Sequence, residues 1–176
     1  MTGRKIINHW TAGQLKPNAT DFEHYHYIID GKGNVYRCDH SIESNDNTAD
    51  GNYAAHTGGG NTRRYGVSLC GMMDFKSPKS PGKYKLTLPQ TEALYLLNAR
   101  IAFKEGYKTL NDEILMTHKE FGIKNPNTSS AGKIDICWLP DEQDPSKVGN
   151  HIREKSIWYL NNIISGKISG DIKTIN

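Results

Sequence analysis

Cysteine is scarce in this sequence: Cys38, Cys70 and Cys137 are odd in number, widely spaced, and form no CxxC pair. That pattern excludes a disulfide framework and a cysteine-rich zinc site, and it makes free, mostly buried thiols the expectation. Long apolar runs are missing too. No stretch reaches the roughly 18 residues that a membrane span requires. The start, Met1 to His9, has no signal-peptide core ahead of its polar residues. Synthesis in the cytoplasm and no stable membrane association are therefore expected. Nor is there a strong excess of one charge: 22 basic against 19 acidic residues leave a net +3. With no helix-turn-helix, zinc-finger or RNP pattern beside it, so small an excess argues against nucleic acid as a partner. It suits either an anionic polymer or an ordinary solvated surface.

What is present describes a folded domain. At 36 % apolar and 23 % charged residues, 176 residues can bury a single core. Neither repeats nor a break in composition mark a second domain, so residues 1–176 read as one unit, with a core over about 4–165. The polar end, 166–176, is expected to fray.

Arg4 to Trp10 reads as a short strand that delivers His9 at its end, before the turn-prone Thr11-Ala12-Gly13. Tyr25 to Asp30, then Gly31-Lys32-Gly33-Asn34, then Val35 to Cys38 is a hairpin pattern. Tyr65 to Gly71 reads as a buried strand behind the glycine run Gly58-Gly59-Gly60. Thr87 and Gln90 make a capping box, and Leu94, Leu97 and Ile101 follow at helical spacing until Gly106, which predicts an amphipathic helix over 89–104. Ile114 to His118 is a second short strand ending in histidine. A last helix spans about 144–165, with Ile152, Ile157, Leu160 and Ile164 as its apolar residues.

His9, His118 and Asp135 are residue types that hold a catalytic zinc by three ligands, leaving a fourth position for water or substrate. No local spacing such as HExxH links them, and seven histidines offer many accidental triples. On chemistry alone the set stays one candidate among several.

Ile6-Ile7-Asn8-His9-Trp10-Thr11-Ala12-Gly13 resembles the opening strand of the type 2 N-acetylmuramoyl-L-alanine amidases and the related peptidoglycan recognition proteins. The resemblance continues in order through Tyr25 to Asp30, Ala55-His56-Thr57-Gly58-Gly59, Tyr65 to Gly71, Met116-Thr117-His118 and Gly132-Lys133-Ile134-Asp135, over roughly residues 4–140. It implies an α/β fold, a mixed central sheet flanked by helices, with a zinc groove at the strand ends. It implies one Zn2+, held by His9, His118 and Asp135, and hydrolysis of the amide between N-acetylmuramic acid and L-alanine in peptidoglycan. Cys137 competes as third ligand, but it lies two residues past the family position and on the same side of an extended segment as Asp135.

The same resemblance makes Tyr25 and Lys133 catalytic, as donors to the oxyanion of a tetrahedral intermediate; a core tyrosine and a surface lysine are their ordinary alternatives. His56 is implied as a substrate-groove residue, and Arg64, where relatives often carry a small polar residue, meets either peptide carboxylates or solvent. His24 and His26 are expected to be structural or solvent-facing. Ser68 stands where some cytoplasmic relatives use a glutamate to protonate the leaving amine, which leaves Glu120 as a candidate substitute. The link from His9 to Tyr25 is short where many relatives insert a helix. A compact, mildly basic chain with no separate wall-binding segment fits a monomeric phage or prophage endolysin acting on the host wall. A non-catalytic recognition module and a cytoplasmic muropeptide-recycling amidase are the alternatives.

Overall fold

The computed structural model describes residues 3–175. Five short strands, β1 (Lys5–Trp10), β2 (Tyr27–Ile29), β3 (Val35–Arg37), β4 (Arg64–Leu69) and β5 (Leu115–Thr117), form a sheet in the order β3-β2-β4-β1-β5. β1 runs parallel to β4 and β5, β2 runs parallel to β4, and β2 and β3 form the antiparallel hairpin, so the sheet is mixed, as expected. Its helices are α1 (Ala19–His24), α2 (Leu88–Lys104), α3 (His118–Lys124) and α4 (Val148–Ile164).

Strand alternation sorts side chains to the two faces. Along β1, Ile6 and Trp10 join the main core, while Ile7 joins a small cluster with Met116 and Phe121 on the opposite face. His9 shares the face of Ile7. On the core side, α2 and α4 pack together through Leu94, Leu97 and Ile101 on one helix and Ile152, Leu160 and Ile163 on the other. Each such side chain contributes roughly 1.5–3 kcal/mol by leaving water. Ile164, expected to face inward, is instead 42 % exposed, and Ile163 takes its place. Asn8 and Asn98 are both fully buried and exchange two amide hydrogen bonds, at 3.0 and 2.9 Å, pinning β1 to α2.

The capping box is formed, with Thr87 accepting from the Gln90 amide and Gln90 accepting from that of Thr87. The Gln90 amide group also donates to the carbonyls of Ile29 and Cys70, at 3.0 and 2.7 Å, which fastens the start of α2 to the ends of β2 and β4.

Three expectations change. The link from His9 to Tyr25 carries a helix after all, α1, started by a capping box between Asn18 and Asp21. Tyr25 therefore ends a helix and does not belong to the hairpin strand. Residues 166–175 do not fray in this structure: Ile168 and Ile172 pack on the core, and the Ile175 amide donates to the Val35 carbonyl at 2.8 Å beside the edge strand β3. Among the described residues, no helix is long and apolar enough to cross a membrane.

Candidate metal centre

Parallel pairing brings the two histidines together. Asn8 of β1 stands opposite Thr117 of β5, so the next residues meet at the carboxyl ends of adjacent strands, His9 as the penultimate residue of β1 and His118 just after β5, where sites in such sheets form. Their ring centroids are 4.6 Å apart. β5 turns into α3 without a loop: Thr117 accepts from the Glu120 amide at 3.1 Å and donates its own amide to the Glu120 carboxylate at 2.9 Å. This capping box makes His118 the first residue of the helix. Asp135 arrives from the loop after α3 and is held there by the Lys119 amide, which donates to its carbonyl at 2.6 Å.

One carboxylate oxygen, Asp135 Oδ2, lies 3.1 Å from His9 Nδ1 and 3.2 Å from His118 Nδ1. The ligand atoms of all three buried residues lie within 4.8 Å of one another. Burial lowers the His9 pKa, more than Asp135 raises it, and the charges of His118 and Lys133 add to the lowering. Burial by itself raises the Asp135 pKa, yet hydrogen bonds and charge from His118 and His9 outweigh it and hold the carboxyl well below the usual range. Two imidazole nitrogens and one ionised carboxylate, converging from two strand ends and a loop, could hold a metal ion, and they are donor types that three-ligand zinc sites use. The residues present fit the ion.

Cys137 is not part of the group. The chain at 133–137 is not an extended strand, and Cys137 packs in the main core, where burial pushes its thiol up.

Tyr25 lies beside the centre, its ring centroid 5.3 Å from that of His9. Burial, followed by the charge of Asp135, raises its pKa, so the phenol keeps its proton at neutral pH and offers it as a donor. Lys133 is exposed, and its charge reaches His9.

His56, expected to line a groove, is instead buried beneath His9, with both ring nitrogens facing protein: Nδ1 is 3.2 Å from His9 Nε2 and 2.8 Å from Thr57 Oγ1, and Nε2 is 3.1 Å from the Arg64 carbonyl. Arg64 begins β4, opposite Lys5 and four residues before Ser68, the partner of His9. Its guanidinium stacks over Phe121, 5.6 Å from the ring centroid, away from the carboxyl ends of the strands. His26 is structural, as expected, accepting from the Gly66 amide at 2.9 Å and facing Asn45 Oδ1 at 3.0 Å. His24 is exposed on α1.

Sequence reasoning missed Ser130, whose hydroxyl lies 3.0 Å from His118 Nε2 and 2.8 Å from the Gly58 carbonyl. No linear pattern signals it, because its partners come from separate loops. The glycine run looks flexible in sequence but is a packing device: a Cβ on Gly58 runs into the Ser129 side chain, and one on Gly59 into Thr128.

A family model described as N-acetylmuramoyl-L-alanine amidase matches residues 1–135. Among solved structures, the N-acetylmuramoyl-L-alanine amidase LysC from Clostridium intestinale URNW superposes with a TM-score of 0.53. The match has 16 % identity and covers 88 % of this chain and 85 % of that one, so this likeness bears on the fold. No curated protein matches the chain.

Proposed function

Because the chain belongs to the N-acetylmuramoyl-L-alanine amidase family, we propose that it hydrolyses the lactyl–L-alanine amide of peptidoglycan with one zinc ion held by His9, His118 and Asp135. The observation that carries this reading is the pair of Nδ1 atoms turned on a single carboxylate oxygen, at 3.1 and 3.2 Å.

When bound, zinc supplies Lewis acidity, polarising the scissile carbonyl and making water nucleophilic near neutral pH. The chain's own residues do the rest. His9, His118 and Asp135 supply three donors, which leaves a fourth coordination position for water or substrate. Tyr25 and Lys133 donate toward the oxygen on which charge collects, and they stabilise the transition state more than the bound amide. In this reading His56 and Arg64 act from beneath the site and from the far end of β4.

The biological role we propose is that of a phage or prophage endolysin, acting as a monomer on the host wall. Its net charge of +3 supports it, since a mild positive excess favours an anionic polymer.

The test is mass analysis of products released from purified peptidoglycan by zinc-loaded protein, by chelated protein, and after zinc is restored. Stem peptides beginning with L-alanine, lost on chelation and regained with zinc, are the expected outcome. Pelleting with the wall without cleavage would replace the reading with a recognition module. Activity confined to soluble muropeptides would replace the endolysin role with recycling.

A further inference from the structure

His56 and Ser130 touch His9 and His118 on the ring nitrogens turned away from Asp135. We infer that they are positioning residues, holding both histidines in the tautomer with the proton on Nε2 and a bare Nδ1 for the metal. The inference rests on the zinc reading above.

Hydrogen-bond capacity carries the argument. The Ser130 hydroxyl owns one hydrogen, and the Gly58 carbonyl 2.8 Å away can only accept it. Toward His118 Nε2, at 3.0 Å, Ser130 Oγ is then an acceptor, so that nitrogen carries the proton.

The other side works through one more ring. His56 Nε2 faces the Arg64 carbonyl at 3.1 Å, and a carbonyl only accepts, so the proton of this buried imidazole sits on Nε2 and its Nδ1 is bare. That bare nitrogen faces Thr57 Oγ1 at 2.8 Å and His9 Nε2 at 3.2 Å, and Thr57 Oγ1 is also 3.2 Å from His9 Nε2. With no proton on His9 Nε2, the single Thr57 hydrogen would have to serve two bare nitrogens in a buried place, and one would go unpaired. With the proton there, Thr57 donates to His56, accepts from His9, and every group is satisfied.

Both Nδ1 atoms then face Asp135 Oδ2, at 3.1 and 3.2 Å, and give up any proton shared with that oxygen when a cation binds. Partners of this kind, on the outer nitrogens of metal-bound histidines, set tautomer and ring orientation. Two glycines keep the partners in reach: a Cβ on Gly66 runs into the His56 ring, and one on Gly58 displaces the loop that carries Ser130.

The experiment is competition for zinc between apo protein and a chromophoric chelator, for the wild type, Ser130→Ala, Ser130→Thr and His56→Phe, with urea unfolding of each apo form in parallel. Ser130→Ala and His56→Phe are expected to weaken zinc binding by about 10–100-fold, and Ser130→Thr, which keeps the hydroxyl, to restore it. In the zinc-loaded wild type, two-bond 15N–1H spectra should show both histidines protonated on Nε2. Wild-type zinc affinity in Ser130→Ala, or metal on Nε2, overturns the positioning role while leaving the zinc reading intact. A wild type that takes up no zinc overturns both.

Discussion

The Glu120 carboxylate accepts from both terminal nitrogens of Arg153, at 2.8 and 3.0 Å, and Arg153 also donates to the Leu115 carbonyl at 3.0 Å. One guanidinium thus ties α4 to the start of α3 and to β5. Glu120 is engaged as a buttress beneath His118 and in the Thr117 capping box, so it is not free to carry the proton for the leaving amine, as the sequence had suggested.

Glu120→Gln should therefore act on stability. It leaves the buried Arg153 without its counter-charge, at a cost of roughly 3 kcal/mol, read as a lower urea midpoint. Below that midpoint, kcat should stay within about tenfold of the wild type. A general acid contributes about 10²–10⁴-fold, so a drop of that size in folded protein would return Glu120 to the chemistry.

His118→Ala removes one of the three proposed ligands and leaves the sheet pairing alone. Release of stem peptides from peptidoglycan should be abolished and zinc affinity lost, with a far-UV spectrum like that of the wild type. Full activity in this variant would refute the site.

Lys133→Ala tests an exposed group whose charge reaches His9 but which lies outside the proposed ligand set. In the proposed mechanism it serves the transition state, so kcat should fall by about 10²–10³-fold while zinc affinity holds. Equal losses in both would make Lys133 part of metal binding.

His26 makes stability depend on pH. Its Nδ1 accepts the Gly66 amide, so a second ring proton would face an N–H; burial lowers its pKa to about 4 from 6.5, against a smaller opposing effect from Asn45. The folded pKa lies below the unfolded value, so between about pH 6.5 and 4 the unfolded chain binds the extra proton. Stability is fully present above 6.5, falls as pH drops through that window, and levels off below it. The contribution is about 3 kcal/mol. His26→Gln should be less stable at pH 7 and should lose less on acidification, by urea titration at both ends of the window. An unchanged slope would exclude His26 as its source.

Local signals were legible. Thr87 and Gln90 marked the start of α2, the turn around Gly33 marked the hairpin, and apolar runs marked the strands that end near His9 and His118. These depend on residues a few positions apart, which cap, alternate or turn by their own chemistry. α1 escaped because its Asn18–Asp21 capping box is short and its six residues carry no apolar stripe. The tail escaped because its order comes from Val35 and the core, neither of which is local to it.

The sequence by itself determined the residue types of the candidate centre, the strands that deliver two of them, and the family they resemble. Tertiary structure alone decided that Asn8 pairs with Thr117, which sets His9 beside His118; that the Lys119 amide holds Asp135 between them; and that His56, Ser130 and Glu120 face inward as supports. Those outcomes turn on backbone registers and hydrogen bonds between residues far apart in the chain, where one step of slippage would turn each side chain to the opposite face.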